Sequence, residues 1–134
     1  MKSNSENTAI GSHRLSTRMR RGDVFSEDCP SRGVLLHATS RWGVLVLVAL
    51  VEGMHRFSDL RRKITGISEK MLAKTLRDLE SDGFVLRVAK PVVPPHVEYS
   101  LTPMGLEISG HVAELADWIE LNIPKILKAR ERGR

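Results

Sequence analysis

The sequence predicts a mainly α-helical domain that carries a small antiparallel β-ribbon, and three patterns predict it. Two amphipathic helical patterns, at 59–64 and 69–81, lie on either side of a glycine-containing turn. Two strand-like runs follow, and a proline-rich connection separates them. A long helical pattern then begins at residue 103 and continues towards the C-terminus. This order is typical of an α+β winged helix-turn-helix fold, in which the β-ribbon is the wing.

Length and composition fit one globular domain. The 134 residues are 41% hydrophobic and 28% charged, a balance typical of globular proteins. The longest apolar run covers 44–51, far short of the ~20 residues that span a bilayer. Residues 1–22 lack the apolar stretch of a signal peptide. We therefore expect a cytoplasmic protein that has no membrane partner.

The sequence contains one cysteine, Cys29, which excludes an intrachain disulfide framework and a cysteine-based zinc site. The five histidines show no metal-site spacing, and we expect neither a metal nor a cofactor. Catalysis by the thiol would need a base held near the sulfur, and no motif identifies one. The sequence therefore does not predict an enzyme.

Charge is distributed unevenly along the chain, whose formal net charge is +5. The segment 56–90 holds nine lysine and arginine residues against five acidic residues, whereas 91–124 holds five acidic residues and no lysine or arginine. A basic segment beside acidic ones is the pattern expected of a polyanion-binding surface. Charge alone fits equally well a set of helices whose solvated faces are cationic.

Three regions follow from these patterns. Residues 1–22 are polar, carry five basic residues against one acidic residue and show no periodicity, which predicts a disordered basic arm. The arm is either a solubilising tail or an additional contact to phosphates. The folded domain is expected at 23–128, and residues 129–134 form a basic tail.

Capping residues and breakers bound each predicted element. Pro30 suits the first position of a helix, and Gly53 is a typical helix end. Ser58 and Ser68 are predicted N-caps, because a serine hydroxyl accepts a hydrogen bond from an N–H group of the first turn. The predicted elements are helices at 30–38, 42–52, 59–64 and 69–81, a turn at 65–67, strands at 84–90 and 97–101, a wing loop at 91–96, and a final helix that starts at Thr102-Pro103.

The final helix repeats apolar residues at spacings of three and four, which is the pattern by which two helices pair. On a chain of this size such a seam needs a second copy to cover it, and this predicts a homodimer. Pro124 is expected to kink or weaken the helix near its end. The residues of the predicted dimer interface are Ile108, Val112, Leu115, Ile119 and Ile126.

The helix at 69–81 has two opposite faces when successive residues are placed about 100° apart. Leucines 72, 76 and 79 share a face that we expect to be buried, and Lys70, Lys74 and Arg77 share the other beside the small Ala73. A narrow, donor-rich face suits entry into the major groove of DNA. Ser68 and the N–H groups at the helix start also suit a phosphate. An ordinary amphipathic helix with a lysine-rich exposed side is the alternative.

A series of short motifs runs from Cys29 to about Trp118. They are Cys29-Pro30, Arg41-Trp42, Arg56-Phe57-Ser58-Asp59-Leu60, Gly66-Ile67-Ser68-Glu69-Lys70-Met71-Leu72, Leu76-Arg77-Asp78-Leu79-Glu80, Asp82-Gly83, Val93-Pro94-Pro95-His96-Val97-Glu98-Tyr99-Ser100-Leu101-Thr102 and Gly105. In this order they resemble the HxlR family of bacterial and archaeal winged-helix regulators.

The resemblance implies a dimeric transcription factor in the cytoplasm of a bacterium or archaeon. It implies that helix 69–81 enters the major groove of double-stranded DNA, that the 91–96 wing contacts the backbone or minor groove, and that terminal helices form the homodimer. A two-fold dimer then reads a pseudo-palindromic operator. The family commonly has arginine where this chain has His96, and histidine carries no permanent charge. The predicted DNA-binding residues are Ser68, Lys70, Ala73, Lys74, Arg77, Arg61, Arg62, Lys90 and His96.

Some members of this family use the cysteine at the position of Cys29 to sense aldehydes, quinones or oxidants. A thiol at a helix N-terminus suits that role, because the helix dipole stabilises the thiolate. The resemblance therefore implies a small electrophile or oxidant as the effector, which modifies Cys29 and changes the affinity for DNA. The alternative is that Cys29 is a small buried residue that caps the first helix.

A second function remains open at this point, namely a winged-helix module that binds an acidic protein and has no specific affinity for DNA. Salt response separates the two functions. The logarithm of a DNA-binding constant falls linearly with the logarithm of the salt concentration, with a slope set by the number of phosphates neutralised.

Overall fold

The computed structural model describes residues 24–133, and the predicted 1–22 arm lies outside the described residues. The chain divides into two compact units, Met1–Leu36 and His37–Arg134, and the first helix runs across their boundary. The elements are α1 (Pro30–Thr39), α2 (Arg41–Val51), β1 (His55–Arg56), α3 (Phe57–Lys63), α4 (Glu69–Ser81), β2 (Val85–Lys90), β3 (His96–Leu101) and α5 (Pro103–Arg132).

In the first unit, the segment before α1 is hydrogen-bonded to itself and to the first turn of the helix. The N–H of Cys29 donates to the carbonyl of Ser26 at 3.1 Å, and the Arg32 guanidinium donates to the carbonyl of Phe25 at 2.9 Å. Pro30 is the first residue of the helix, as predicted, and the helix ends one residue later than expected. Cys29 therefore directly precedes a helix N-terminus.

The core of the second unit is built on α2, which contains the long apolar run of residues 44–51. Ser40 caps α2 by accepting a hydrogen bond from the N–H of Gly43 at 3.0 Å, so the helix begins one residue before the predicted start. Side chains of α2 pack against α4 and α5. The buried aliphatic residues of these three helices are Val46, Leu47, Ala49, Leu50, Leu72, Leu76, Leu79 and Val112.

Helix α3 begins earlier than the sequence predicts. The predicted N-cap was Ser58, but the helix starts at Phe57 and its N-cap is Arg56. The reason is the carboxylate of Asp59, which reaches back and accepts a hydrogen bond from the backbone N–H of Arg56 at 2.9 Å. The start of α3 is thus fixed by the Asp59 carboxylate, within the first turn, and not by the hydroxyl of Ser58.

The turn and the next helix agree with the prediction. Gly66 has a φ of 91°, a conformation that a residue without a Cβ adopts without strain, and it reverses the chain between α3 and α4. The hydroxyl of Ser68 accepts a hydrogen bond from the N–H of Met71 at 3.0 Å. This confirms Ser68 as the N-cap of α4, which occupies the predicted residues.

Three antiparallel strands form one sheet in the order β1–β3–β2. The wing strands pair as predicted, with Lys90 opposite His96. This pairing makes His96 the first residue of β3 instead of the last residue of the loop, so the wing loop is 91–95. Strand β1 was not predicted, and it pairs with β3 through His55 opposite Tyr99. The ring of Tyr99 is buried.

Helix α5 is a single helix of 30 residues. The hydroxyl of Thr102 accepts a hydrogen bond from the N–H of Gly105 at 2.9 Å, which confirms the predicted cap and helix start. Pro124 lies inside the helix and does not end it, and residues 129–132 of the predicted tail are helical. Alanine, arginine and glutamate, the residue types of this stretch, all favour the helix.

Among residues 24–133, no single helix is long and apolar enough to cross a membrane. Helices α1 and α2 pass such a test only when they are joined as a bent pair, on length and composition alone.

Candidate nucleic-acid interface

Helix α4 presents two faces of opposite character. The leucines at 72, 76 and 79 are buried against the rest of the second unit, as the spacing predicts. The other side exposes Lys70, Lys74 and Arg77. The half-buried Ala73 lies among them, and its small side chain does not project from the helix surface. The capping hydrogen bond of Ser68 fixes where this positively charged face begins.

The three basic side chains of α4 differ in their neighbours. The ammonium group of Lys74 lies 2.8 Å from the carboxylate of Asp78, one turn further along the helix. No carboxylate of the described residues lies within 4.0 Å of Lys70 or Arg77. Two of the three predicted cations are therefore unpaired, whereas an acidic residue already holds the third.

The turn between α3 and α4 forms an open pocket. Its lining includes Arg61, Arg62 and Ser68. Arg61 lies 4.0 Å from Glu69, and Arg62 lies 2.7 Å from Asp59. The N–H groups of the first turn of α4 and the two guanidinium groups make this pocket suitable for an anion. An incoming anion would compete with the two carboxylates for the arginines.

The carboxyl group of Asp59 is held ionised by its surroundings. The backbone N–H of Arg56 donates to this carboxylate and lowers the pKa of Asp59, and the Arg62 guanidinium adds to that effect. Burial acts in the opposite direction and is outweighed. Asp59 is therefore a fixed negative charge beside the anion pocket at neutral pH.

The loop end of the wing carries little unpaired charge. Lys90 lies 3.6 Å from the carboxylate of Glu98 on the neighbouring strand. His96 is half-buried opposite Lys90, and the 91–95 loop contains no charged residue. Val93 at the loop is 99% exposed. The two predicted wing residues thus form the last pair of the β-ribbon, directly beside the loop, and the loop at the tip of the wing is apolar.

Arg87 is a basic residue outside the set of predicted DNA-binding residues. It is exposed on β2 opposite Tyr99, and it lines a cleft between α4 and the sheet together with Ala73 and Arg77. Glu80 lines the same cleft, yet no carboxylate of the described residues lies within 4.0 Å of either guanidinium. Side chains alternate between the two faces of a strand, so Arg87 lies on the same face of β2 as the buried Val85, which is the side of α4. This alternation could have identified Arg87 from the sequence.

The predicted seam of α5 is covered in its first half and uncovered in its second. Val112 is 5% exposed because the chain itself covers it, and Ile108 is half-buried. Leu115 is 52% exposed and Ile119 is 41% exposed, and Ile126 is half-buried. Four further large apolar side chains of this half are exposed: Trp118, Leu121, Ile123 and Leu127.

Cys29 lies in the first unit, where it is half-buried directly before α1. Among the described residues, no group of three or more histidine, cysteine, aspartate or glutamate side chains has the arrangement of a metal site.

Comparison with known proteins identifies relatives over most of the chain. A family model described as HxlR-like helix-turn-helix matches residues 37–126. The HTH-type transcriptional regulator YtfH of Escherichia coli (strain K12) is 67% identical over 117 residues, which are 87% of this chain and 93% of that protein.

Solved structures give the same result. The transcriptional regulator ytfH from Salmonella typhimurium matches with a TM-score of 0.79 at 68% identity, over 82% of this chain and 98% of that chain. The redox regulator HypR in its oxidized form matches with a TM-score of 0.65 at 36% identity, over 70% of this chain and 97% of that one. The predicted winged helix-turn-helix fold is thereby confirmed.

Proposed function

The chain belongs to the family of HxlR-like helix-turn-helix proteins, and we propose that it is a transcription regulator that binds a specific DNA sequence as a homodimer. The observation that carries this proposal is the outward face of α4, where Lys70 and Arg77 lie exposed without a carboxylate neighbour. The relatives described above are named transcriptional regulators, and we assign the chain no enzymatic activity.

In the proposed complex, α4 lies in the major groove. Arginine and lysine donate to the O6 and N7 atoms of guanine, and each good pair discriminates against a wrong base by about 1–3 kcal/mol. Arg77 and Lys70 are suited to this role because no ion pair has to be broken first. Ala73 lies between them, and its small side chain allows the helix to approach the base edges closely.

Phosphates would be held on either side of this helix. The pocket of Arg61, Arg62 and Ser68 accepts one backbone phosphate, which displaces the carboxylates from the arginines. Arg87 extends the positive surface on the other side of α4 and contacts a second phosphate. These contacts fix the position of the protein along the duplex and carry no sequence information themselves.

The wing would contact the DNA backbone or the minor groove through Lys90 and His96. Because Lys90 is paired with Glu98 and the 91–95 loop is uncharged, we expect this contact to contribute less to the salt dependence than α4 does. Proteins that bind the minor groove frequently insert apolar side chains between base steps. The exposed Val93 is suited to that kind of contact.

Dimerisation would bury the uncovered half of α5. Soluble monomers rarely expose a contiguous row of large apolar side chains, and a second copy of the chain covers such a row at little cost. The two α4 helices of a two-fold dimer then read half-sites about one helical turn apart. We therefore expect a pseudo-palindromic operator.

We also propose that a small electrophile or oxidant regulates DNA binding through Cys29. The position supports this, because Cys29 directly precedes α1 and the N-terminus of a helix stabilises a thiolate. HypR, a relative in sequence and structure, is described as a redox regulator. With an aldehyde or quinone, the thiol loses its proton to water and the sulfur forms a bond to the electrophilic carbon. The π bond at that carbon breaks, its electron pair moves to the carbonyl oxygen, and the oxygen takes a proton from water.

One experiment tests the main proposal and the regulation together. Duplexes of random sequence are selected for binding to the purified full chain, with and without a quinone, and a Cys29→Ser variant is the control. We expect a palindromic consensus, and we expect the quinone to weaken binding only when Cys29 is present. DNA recognition would be refuted if no sequence were enriched. It would also be refuted if the logarithm of the binding constant did not change with the logarithm of the salt concentration.

A further inference from the structure

The carboxylate of Asp78 lies between two basic side chains. Its Oδ2 atom is 2.8 Å from the ammonium nitrogen of Lys74 and 3.9 Å from Nε2 of His37. Lys74 is on the outward face of α4, whereas His37 is in the last turn of α1 and belongs to the same compact unit as α4. Asp78 is thus shared between the DNA-binding face and a residue outside it.

The other nitrogen of His37 is already engaged. Its Nδ1 atom lies 2.6 Å from Oδ2 of Asp82, whose side chain is 12% exposed. An ionised carboxylate only accepts hydrogen bonds, so a neutral His37 ring must place its one proton on Nδ1. The Nε2 atom that faces Asp78 then has no proton to donate. Asp78 is left to pair with Lys74.

A proton added to His37 changes this arrangement. Histidine is the side chain that ordinarily gains a charge between pH 8 and pH 5. The added proton is on Nε2, so the ring becomes a cation that donates towards Asp78 as well as Asp82. These two carboxylates are the charged groups of the described residues within 4.0 Å of the ring. Asp78 is drawn from Lys74 towards His37, and the ammonium group of Lys74 is released.

We propose that Asp78 and His37 are positioning residues that set whether Lys74 is available to DNA. With His37 neutral, Asp78 neutralises Lys74 and places a negative charge beside the groove. With His37 protonated, Lys74 contributes a third cation to the outward face of α4. Falling pH therefore strengthens DNA binding. This inference rests on the proposed function, because it concerns the affinity of the same face for DNA.

A double-mutant cycle tests the role of Asp78. The variants Lys74→Ala and Lys70→Ala are measured for DNA affinity in the natural chain and in Asp78→Asn, at a fixed salt concentration. We expect Asp78→Asn to tighten binding about two- to fivefold, which corresponds to the usual strength of an exposed ion pair. The loss caused by Lys74→Ala should be larger in Asp78→Asn, whereas the loss caused by Lys70→Ala should be the same in both backgrounds.

The salt dependence provides a readout that a purely structural role of Asp78 would not change. Release of one lysine adds one neutralised phosphate, so the slope of log affinity against log salt should steepen by about 0.9 in Asp78→Asn. The steepening should disappear when Lys74→Ala is added. Equal slopes in the natural chain and Asp78→Asn would overturn the inference.

A pH profile tests the role of His37. Between pH 8 and pH 6, we expect the natural chain to gain about two- to fivefold more affinity for DNA than His37→Gln gains. His111→Gln is the control, because it removes an exposed histidine of α5 that is not among the proposed DNA-binding residues. In the Lys74→Ala background, His37→Gln should no longer change how the affinity for DNA depends on pH. A persistent effect of His37→Gln there would overturn the inference.

The outcomes separate this inference from the proposed function. If Lys70→Ala weakens DNA binding and the cycle shows no coupling between Lys74 and Asp78, only the inference fails. If neither Lys70→Ala nor Lys74→Ala weakens DNA binding, the proposed role of α4 fails as well.

Discussion

Helices α4 and α5 begin with the same kind of cap, but their exposed sides differ in character. Each starts with a hydroxyl cap, Ser68 or Thr102, that accepts a hydrogen bond from an N–H three residues later. Each buries one apolar side against α2. The outward side of α4 carries cations, whereas the second half of α5 exposes large apolar side chains. Local rules thus build both helices, and the outward side chains determine which partner each one suits.

The largest expected effect concerns the apolar surface of α5. Replacing Leu115 and Ile119 by serine removes two aliphatic side chains from the proposed dimer interface, and each contributes about 1.5–3 kcal/mol when it is buried. We expect the chain to become monomeric at micromolar concentration, as measured by sedimentation. Leu106→Ser is the matched control, because Leu106 is equally exposed on another side of the same helix. A dimer that survives the double substitution would show that this surface is not the interface.

The second effect separates the two sides of α4. Leu72→Ala should lower the free energy of unfolding by about 2–5 kcal/mol, because it leaves a cavity at a fully buried position. Lys70→Ala should change the free energy of unfolding by less than about 0.5 kcal/mol, since its side chain is exposed. DNA titration should show the reverse order for folded protein, with Lys70→Ala weakening binding by about 1–3 kcal/mol. If chemical denaturation shows that Lys70→Ala lowers the free energy of unfolding more than Leu72→Ala does, the assignment of a buried and an exposed side to α4 is refuted.

The third effect separates the two sides of α5. A Cβ atom added at Gly105 would lie 1.9 Å from the carbonyl oxygen of Phe84, whereas nothing lies within 4 Å of one added at Gly110. Gly105→Ala should therefore destabilise the fold by about 1–3 kcal/mol or more. Gly110→Ala should stabilise it by up to about 1 kcal/mol, because alanine favours a helix. Thermal unfolding of the two variants measures both shifts, and a stable Gly105→Ala protein would contradict the close packing of α5.

The smallest effect concerns how helices start. The hydroxyl caps of α4 and α5 do not titrate in the acid range, but α3 is capped through the carboxylate of Asp59, whose pKa is lowered. The stabilisation from Asp59 is present above the pKa of about 3.9 that an unfolded chain has, and it is lost as the pH falls through the lower folded value. The stability gap between the natural chain and Asp59→Asn should therefore narrow from pH 5 to pH 2 in urea unfolding. A gap that stays constant would exclude this role.

The parts predicted from the sequence are those that local chemistry determines. Helix α4 is bounded by Ser68 and carries its leucines at helical spacing, so its limits and its two faces followed from the sequence. The pairing of Lys74 with Asp78 also follows a local rule, since the residues are four apart on a helix. That spacing was available in the sequence and would have revealed that one of the three cations is paired.

The parts that were missed depend on distant residues. Strand β1 has two residues, too few for any periodicity, and exists because His55 pairs with Tyr99 far along the chain. The contact of His37 with Asp82 joins residues 45 positions apart. The coverage of Val112 by its own chain, which removes it from the proposed dimer surface, depends on how α5 lies against α2.

The hydroxyl of Thr102 also donates to the carbonyl of Gly83 at 2.6 Å, and the N–H of Thr102 donates to Phe84 at 3.1 Å. Two hydrogen bonds therefore join the segment just after α4 to the cap residue of α5. In a two-fold assembly, the angle at which the two α5 helices cross would then set the distance between the two α4 helices, and with it the length of the preferred operator. Changes in that angle would alter the preferred distance between binding sites while leaving the preferred bases the same.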